Sequence, residues 1–337
     1  MRITLVTETF FPAVDGTTTT VKAVADRLVD TGHEIQIVAP GPGLTSYRGG
    51  RIVRIRPLDK PGGQVRDALA GFRPDLVHVT SPGTIGRKAL KHARRLGVPT
   101  LVVEQSPTLA DVTADRLLVT STWMLDRDAR LWEPGVDTAA FTPALRDDWL
   151  HTRWSLTRSR PGPLVVVGYV GSLRNRHDVR RLAELAQVPG IRPVIVGDGP
   201  QRSWLEARLP RAKFTGALTT GELTAVLPSL DLLVHPGLHE TCCHVLREAA
   251  ASGVPVVAPR SGGAVDVVRH LETGLLHDPD DPRDLVRAVA ALAADRHRGL
   301  LGQRARELAT RTWAEAVDEL VERHYRALVV PHRVTVR

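Results

Sequence analysis

The sequence predicts an α/β protein built from two domains with parallel sheets. Short and almost entirely apolar runs, such as "RITLVTE", "EIQIVAP" and "DLVHVTSP", alternate with helical patterns such as "TVKAVADRLVDTG" and "GRKALKHARRLG". Runs of this kind are typical of parallel strands that helices cover on both faces. The alternation restarts after the segment "EPGVDTAAFTPALRDDW". We therefore expect two Rossmann-like domains facing a cleft.

Each further element follows the same pattern. The first series continues with the strands "PTLVVEQSP" and "RLLVTST". The second series runs through the strands "PLVVVGYVGSL", "RPVIVGDGP", "AKFTGAL", "DLLVHPG" and "PVVAPRSGG", with the helices "VRRLAELAQ", "WLEARL", "GELTAVLPSL" and "HVLREAAASG" between them. A long amphipathic pattern, "WAEAVDELVERHYRALV", comes last. These patterns predict domains at residues 1–145 and 146–312, and a C-terminal helix in residues 313–337 that packs back towards the first domain.

Composition narrows the class of protein. The chain has 337 residues, of which 42% are hydrophobic, but no apolar run reaches the length of a membrane span. The opening residues lack the order of a signal peptide, so we expect a cytoplasmic protein. The net charge is +8, yet the arginines are scattered and no basic tail or aromatic-interleaved patch occurs. This argues against nucleic acid as a partner.

The stretch "GLHETCCHVLREAAASGVPVVAPRSGG" carries the candidate chemistry. Glu240, His244 and Glu248 are spaced four apart, so a helix would present them on one face as metal ligands. One His-x3-Glu pattern without a second cluster is a weak metal signal, and we expect no metal. Cys242 and Cys243 are adjacent rather than a C-x-x-C pair, which favours small apolar fillers over a redox site.

The position of this stretch supports a different interpretation. If a helix begins near Thr241, after the strand "DLLVHPG", its first N–H groups can bind phosphate oxygens. Glu240 would lie at the mouth of the cleft and Glu248 about two turns into the helix, on the same side. A carboxylate there can accept hydrogen bonds from ribose or sugar hydroxyls. The alternative is that Glu248 is a helix-surface acid and Glu240 a solvated loop residue.

Several motifs together resemble one family. They are Glu240 and Glu248 followed by "AAASGVPVVAPRSGG", then "TETFFPAVDGTTTTV", "GVDTAAFTP", "VIVGDGP", "FTG" and "HLETGLLHDPDDPRDLVRAV", in places that match the family's order. The chain resembles the retaining GT-B glycosyltransferases of glycosyltransferase family 4 over most of its length. It is most similar to bacterial GDP-mannose-dependent mannosyltransferases of the phosphatidylinositol and glycolipid type.

The resemblance implies a reaction. The second domain would hold a nucleotide-sugar donor and the first an acceptor, which could be a small molecule or a lipid. GDP-mannose is the preferred donor, and UDP-sugars or other GDP-sugars are alternatives. The enzyme would need no metal and no cofactor, because the nucleotide sugar is a co-substrate whose developing charges the protein stabilises. Peripheral membrane contact and the oligomeric state are left open.

The resemblance also assigns roles. Glu248 would bind the ribose hydroxyls, Glu240 would lie by the transferred sugar, and Gly16 would let the backbone approach the diphosphate. The remaining residues that the resemblance places around the donor are Thr241, Cys242 and Cys243 at the sugar or phosphate, Phe214, Thr215 and Gly216 near the base, Asp198 and Gly199 in the adjacent loop, and Gly171 at the start of the phosphate loop.

The chain departs from the family pattern where the family carries an arginine and a lysine that grip the diphosphate. Ser172 and His177 stand at those positions. Arg174 or Arg176 could supply the charge from a shifted register, or His177 could do so when protonated.

The first domain is also short. Only a few residues separate "GVPTLVVEQSP" from "ADRLLVTST", where the family has helices that form an acceptor wall. Glu104 is a candidate substitute for a family polar residue near that point.

Two other classes of function remain to be weighed. The altered phosphate residues and the short first domain suggest a non-catalytic relative that binds nucleotide sugar or acts as a partner subunit. Retention of both Glu240 and Glu248 favours the enzyme. A dinucleotide-dependent oxidoreductase is disfavoured, because no G-x-G-x-x-G opens a helix after the first strand.

Overall fold

The chain divides into two compact units in a computed structural model. The model describes residues 1–13, 15–56, 58–107, 113–157, 161–309 and 311–329. Unit 1 comprises Met1–Gly135 and Trp313–Arg337, and unit 2 is Val136–Thr312. Both units are α/β layers with a central sheet.

Strands and helices alternate through both units. In chain order the strands are β1 (Arg2–Thr7), β2 (Glu34–Pro40), β3 (Ser46–Tyr47), β4 (Gly50–Ile55), β5 (Leu76–Thr80), β6 (Thr100–Glu104), β7 (Arg116–Val119), β8 (Ala129–Leu131), β9 (Val165–Val170), β10 (Ile191–Val196), β11 (Lys213–Gly216), β12 (Leu232–Val234), β13 (Val256–Pro259) and β14 (Gly274–His277). The helices are α1 (Gly16–Asp30), α2 (Pro61–Phe72), α3 (Thr84–Arg95), α4 (Asp148–Ser155), α5 (Arg202–Arg208), α6 (Thr220–Val226), α7 (His244–Ala251), α8 (Ala264–Val267), α9 (Asp284–Ala294), α10 (Arg298–Leu308), α11 (Trp313–Glu319) and α12 (Arg326–Leu328), with a π-helical segment, Leu320–Tyr325, between the last two.

The sheet of unit 1 has the strand order β3-β4-β2-β1-β5-β6-β7-β8. Its pairings are parallel, apart from the antiparallel pair of β3 and β4. Ile3 of β1 lies opposite Ile35 on one side and Leu76 on the other. Such central strands are buried on both faces, which explains why their sequences are continuous apolar runs.

The last described segment of the chain completes the core of unit 1. Val317, Leu320 and Tyr325 are buried in the same cluster as Leu5 and Leu28. Arg27 of α1 donates to both carboxylate oxygens of Asp318, at 2.8 and 2.6 Å. A helix from the end of the chain therefore packs beside the first helix.

A buried hydrogen bond also fixes this segment. The hydroxyl of Tyr325 lies 2.5 Å from Nδ1 of His78, and both side chains are buried. Burial lowers the pKa of His78 to about 3, so its imidazole is neutral. Trp132 adds a third link, because its indole N–H donates to the carbonyl of Ala316 at 2.8 Å.

Unit 2 has a six-stranded sheet in the order β11-β10-β9-β12-β13-β14, with every pairing parallel. The first strand of the unit, β9, therefore lies between β10 and β12, and the strand order reverses there. Side chains from α4, α7 and α8 pack on one face of this sheet, and side chains from α5 and α9 pack on the other. In sheets of this kind, ligands bind at the carboxyl ends of the strands where the order reverses.

The α/β class and the strands quoted from the sequence are as predicted, but several other elements were not predicted: β3, β4, β8, β14, α2, α4, α8, α9 and α10. The expected helix over Val179–Gln187 is a 3-10 helix. Strand β4, "GRIVRI", was not predicted, because arginines interrupt its apolar run. Helix α2 was not predicted either, since two glycines stand in its first turn and weaken the helical pattern.

Within the described residues, no helix is both long enough and apolar enough to cross a membrane.

Candidate active site

Two loops of unit 2 meet where the strand order reverses. One loop follows β9 and contains Ser172 to Asp178, and the other follows β12 and contains His235 to Cys243. They are joined by a hydrogen bond from the backbone N–H of Leu238 to Oδ2 of Asp178, at 3.0 Å. This junction brings together several residues that the sequence singled out.

A hydrogen bond between His177 and Glu240 forms the centre of the site. Nδ1 of His177 lies 2.8 Å from Oε1 of Glu240, although the two residues are 63 positions apart. Burial raises the pKa of Glu240, but the hydrogen bond with His177 and the close approach of His235 outweigh that effect and lower the pKa. Glu240 is therefore an ionised carboxylate at neutral pH.

Arg176 supplies a permanent positive charge behind His177. Its Nε–H donates to Nε2 of His177 at 3.1 Å. A ring nitrogen that accepts this bond carries no proton, so the proton of a neutral His177 lies on Nδ1 and is donated to Glu240. Arg176, His177 and Glu240 thus form a chain of hydrogen bonds, which we call the Arg-His-Glu chain.

His235 is a buried residue that the sequence did not single out. Its ring stacks on Tyr169 with centroids 6.4 Å apart, and its Nε2 lies 3.4 Å from Oε1 of Glu240. Neither ring nitrogen of His235 has a hydrogen-bond partner among the described residues. The signal available in the sequence was a histidine at the end of the strand "DLLVHPG".

Glu248 has a different environment from Glu240. It is the fifth residue of α7, and no described residue donates a hydrogen bond to its carboxylate. Burial alone raises its pKa to about 7. A carboxylate held without a donor is suited to accept hydrogen bonds from a ligand hydroxyl.

The start of α7 corrects the expectation of a helix from Thr241. The helix begins at His244, because Cys243 is in the left-handed region with a φ of 49° and caps it. Glu240 is therefore on the loop and does not share a helical face with His244 and Glu248. Glu248 lies about one turn into the helix instead of two.

The residues of this turn are packed closely. Thr241, Cys242 and Cys243 are buried, and burial, followed by the charge of Glu240, raises the pKa of the Cys243 thiol. Gly262 and Gly263 pack against the backbone of this loop. A Cβ on Gly262 would stand 2.5 Å from the carbonyl oxygen of Leu238. Backbone contact this close shapes the loop that carries Glu240.

The loops after β9 and β10 also pack against each other through backbone contacts. The backbone N–H of Gly171 donates to the carbonyl of Val196, and that of Leu173 donates to the carbonyl of Asp198. A Cβ on Gly199 would stand 2.6 Å from the carbonyl of Leu173. These contacts hold the loop that ends at His177.

The remaining predicted residues of unit 2 lie at the same edge of the sheet without joining the Arg-His-Glu chain. Arg174 is exposed and makes no ion pair with any described residue, whereas Ser172 accepts a hydrogen bond from Tyr169 through its carbonyl. Asp198 pairs with Arg202, and its pKa is lowered by the N–H of Gly199 and by Arg202. Phe214, Thr215 and Gly216 are half-buried in β11.

Two predicted residues belong to unit 1. Gly16 is the first residue of α1, and the preceding Asp15 caps that helix through a bond from the N–H of Thr18. Glu104 ends β6, is buried, and accepts a hydrogen bond from the N–H of Ser106 at 2.7 Å.

Two family models match the chain. The model described as Glycosyltransferase Family 4 matches residues 14–140, and the model described as Glycosyl transferases group 1 matches residues 165–295. The two matches fall on the two α/β series.

Curated relatives match along the whole length. A GDP-mannose-dependent alpha-mannosyltransferase of Mycolicibacterium smegmatis is 37% identical over 98% of this chain and 98% of its own. One of Corynebacterium glutamicum is 31% identical over 99% of this chain and 91% of its own. The first alignment spans 374 positions against the 337 residues of this chain, so that relative carries segments that this chain lacks.

Solved structures show the same fold. Sucrose-phosphate synthase from Thermosynechococcus elongatus superposes with a TM-score of 0.79 at 20% identity, covering 97% of this chain and 98% of its own. HepE of Anabaena, solved in complex with UDP, superposes with a TM-score of 0.78 at 17% identity. The match covers 96% of this chain and 99% of the HepE chain. Two parallel-sheet α/β units with these neighbours define the GT-B class of glycosyltransferases.

The chain belongs to glycosyltransferase family 4. It is therefore an enzyme that transfers a hexose from a nucleotide-activated donor to an acceptor.

Proposed function

We propose that this enzyme transfers mannose from GDP-mannose, with retention of configuration and without a metal, to a small-molecule or lipid acceptor. The observation that carries the proposal is identity of 37% over 98% of the chain to an enzyme named as a GDP-mannose-dependent alpha-mannosyltransferase. Over about half of the chain, a further relative of Mycobacterium tuberculosis is named as a phosphatidylinositol monomannoside mannosyltransferase. That name favours a lipid among the acceptors.

Glu248 is the proposed anchor of the donor. Its carboxylate lies on α7 with no protein donor, so the two hydroxyls of a ribose can satisfy both oxygens. Ionisation strengthens these bonds, since a charged acceptor binds more tightly than a neutral one.

Glu240 is the proposed residue beside the transferred sugar. Its lowered pKa keeps it ionised, so it can accept hydrogen bonds from sugar hydroxyls and stabilise positive charge that develops on the ring. His177 orients this carboxylate through the 2.8 Å bond.

The Arg-His-Glu chain is the proposed substitute for the missing arginine and lysine. Arg176 brings a permanent cation to the loop in which Ser172 stands in place of arginine. As negative charge develops on the leaving diphosphate, Arg176 can stabilise it, and His177 can add its own charge once it is protonated and no longer accepts from Arg176. No metal is needed for such fixed charges, and none of the described His, Cys, Asp and Glu side chains form a group of three suited to a metal.

The donor is tested by calorimetric titration of the protein with GDP, UDP and ADP. We expect GDP to bind most tightly and Glu248→Ala to weaken it about a hundredfold, since two charge-assisted hydrogen bonds are lost. Glu206→Ala, which removes an exposed acid from α5, is the matched control and leaves the affinity unchanged. Preference for UDP, or full affinity in Glu248→Ala, would contradict the proposal.

Retention and metal independence have their own test. Transfer from GDP-mannose to a lipid extract is followed with and without a chelator, and the anomeric configuration of the product is read by NMR. We expect an α-linked product in both cases. A β-linked product, or loss of transfer in chelator that added metal restores, would contradict it.

The role of the Arg-His-Glu chain is tested by comparing GDP with guanosine, which has no phosphate. Arg176→Gln and His177→Asn should each weaken GDP about tenfold, as expected for the loss of one charge-assisted contact, and leave guanosine unchanged. Arg174→Gln is the control, because Arg174 makes no ion pair with described residues. A loss of GDP affinity in Arg174→Gln alone would assign the phosphate contact to Arg174 instead.

A further inference from the structure

A small cavity in unit 2 is lined by arginines that have no assigned role at the donor site. The cavity has a volume of about 120 Å³ and lies beside α7, α8 and the end of α10. Its cations are Arg247, Arg269 and Arg311. Among the described residues of its lining, Asp266 is the single acid. The lining therefore has an excess of positive charge, and we call this site the arginine cavity.

Arg247 of α7 is half-buried at the wall of the arginine cavity. Its Nε–H donates to the carbonyl of Cys242 at 3.3 Å, which fixes the direction of the side chain. A guanidinium has five N–H donors, and this bond uses one of them. The terminal N–H groups of Arg247 have neither a hydrogen-bond partner nor a carboxylate partner among the described residues. An arginine held in this way is suited to bind an oxyanion.

Arg269 follows α8 and stands at the mouth of the cavity, because its side chain is 61% exposed. It forms a long ion pair with Glu272, with 3.6 Å between Nη1 and Oε2. Glu272 is already held by Arg304, whose Nε–H donates to it at 2.9 Å. That bond is the largest cause of the lowered pKa of Glu272. Arg269 is therefore not needed to balance this acid, and its charge can serve a ligand.

Folding does not account for the arginine cavity. Three guanidinium groups around one small space repel one another, and a single acid does not balance three cations. The wall also includes the small side chains Ala250, Ala305 and Ala309, which leave the space open. A space of this size holds several waters, and it is therefore large enough for a phosphate group.

We propose that the arginine cavity binds a phosphate group, either as free inorganic phosphate or as the end of a small phosphate monoester. A guanidinium presents its N–H groups as a planar fork that matches the oxygens of phosphate. More than one such fork around a small space favours a doubly charged oxyanion over a single carboxylate. The residues involved differ from Arg176 and His177, to which the donor diphosphate is assigned.

The proposal is tested by calorimetric titration of the full-length protein with inorganic phosphate at constant ionic strength, without any donor. We expect binding in the millimolar range or tighter. Arg247→Gln and Arg269→Gln should each weaken it about tenfold, as expected for the loss of one charge-assisted contact. Because Arg269 is an exposed residue outside the helices, its variant is expected to fold even if Arg247→Gln disturbs α7.

The matched control is Arg296→Gln, which removes an exposed cation of unit 2 that forms no ion pair with a described residue. It should bind phosphate as the unmodified protein does. Phosphate should also raise the melting temperature of the unmodified protein and of the control, and raise it less in Arg247→Gln and Arg269→Gln.

Two further ligands define the class of anion. Glycerol 1-phosphate carries a phosphate monoester, and acetate carries only a carboxylate. Equal binding of phosphate and glycerol 1-phosphate would support a monoester end as the ligand, and binding of phosphate alone would support the free anion. Acetate binding as tight as that of phosphate would overturn the assignment to phosphate.

Three other outcomes would overturn the proposal. They are failure of both phosphate ligands to bind, an equal loss in Arg296→Gln, and a loss in Arg176→Gln that Arg247→Gln and Arg269→Gln do not share. The last outcome would place the phosphate at the donor site. Because no donor is present, these results do not depend on whether GDP-mannose is the substrate.

Discussion

Two glutamates eight positions apart acquire opposite properties in this enzyme. Burial raises the pKa of both. For Glu248 no partner opposes that effect, and the pKa reaches about 7. For Glu240 the contacts with His177 and His235 reverse it. The residue type is the same, so the difference arises from what the neighbouring loops place beside each carboxylate.

Glu248→Gln is expected to stabilise the protein at about pH 8 while weakening donor binding. A carboxyl whose pKa is higher in the folded state than in the unfolded state binds its proton more tightly when folded. Stability therefore falls as pH rises from the unfolded pKa of about 4.5 to the folded pKa of about 7. Glutamine removes this cost, which is about 3 kcal/mol at about 1.4 kcal/mol for each pKa unit.

The check is thermal or denaturant unfolding at two pH values. The gain in the free energy of unfolding should be present at about pH 8. It should largely vanish at about pH 4, where Glu248 is mostly protonated in both the folded and the unfolded state. Glu206→Gln is the control. An equal gain at both pH values would mean that ionisation of Glu248 does not cause it.

Short loops at the carboxyl ends of the strands set the geometry of unit 2. The loop after β9 carries Arg176 and His177, and the loop after β10 supports it through backbone contacts that leave no room for a side chain. At Gly197 the φ is 132°, and a Cβ would stand 1.9 Å from the carbonyl of Gly171. The position of the Arg-His-Glu chain thus depends on close backbone packing at these glycines.

Gly197→Ala is expected to lower the free energy of unfolding of unit 2 by about 3 kcal/mol or more, because the clash is with backbone and the φ is unfavourable for alanine. Denaturant titration measures this. Gly221→Ala is the control, since Gly221 lies in α6 with no neighbouring atom within 4 Å. There alanine should be neutral or stabilise slightly. Similar losses in the two variants would contradict the role of the close contact.

The two units differ in how the chain builds them. Unit 2 is one continuous segment, whereas unit 1 needs the end of the chain to complete its core. Removal of that end would expose Leu5, Leu28 and other core residues, and would leave the buried Nδ1 of His78 without the hydroxyl of Tyr325.

We expect a fragment of residues 136–312 to fold alone and a fragment of residues 1–135 to remain unfolded or aggregate. Adding residues 313–329 to the second fragment through a flexible linker should restore it. Circular dichroism and cooperative thermal unfolding measure both results. A cooperatively folded 1–135 fragment would show that the returning helix is dispensable.

Much of the fold could be predicted because its signals are local. Doubly covered strands such as β1 and β5 need continuous apolar sequences, and those runs are visible without a structure. Elements with mixed signals were missed: arginines interrupt β4, and two glycines weaken the start of α2. The 3-10 geometry of Val179–Gln187 was missed because the apolar spacing of a helix does not distinguish it from an α-helix.

The candidate site was only partly predictable for a related reason. Glu240, Glu248 and His177 follow from family motifs, but their mutual contacts depend on which strands are neighbours. His235 was overlooked because a lone histidine in an apolar strand is typical of a core position. The start of α7 was misplaced because the left-handed conformation of Cys243 has no signal in a residue that is not glycine.

The order of residues along this chain therefore suffices for its α/β class, its family and its main candidate residues, because periodicity and motifs are encoded over short distances. Packing was needed to bring Glu240 to Arg176 and His177, and to separate the pKa values of two glutamates. These properties depend on distances between residues far apart in sequence. Such distances are set by strand order and burial, which no local pattern specifies.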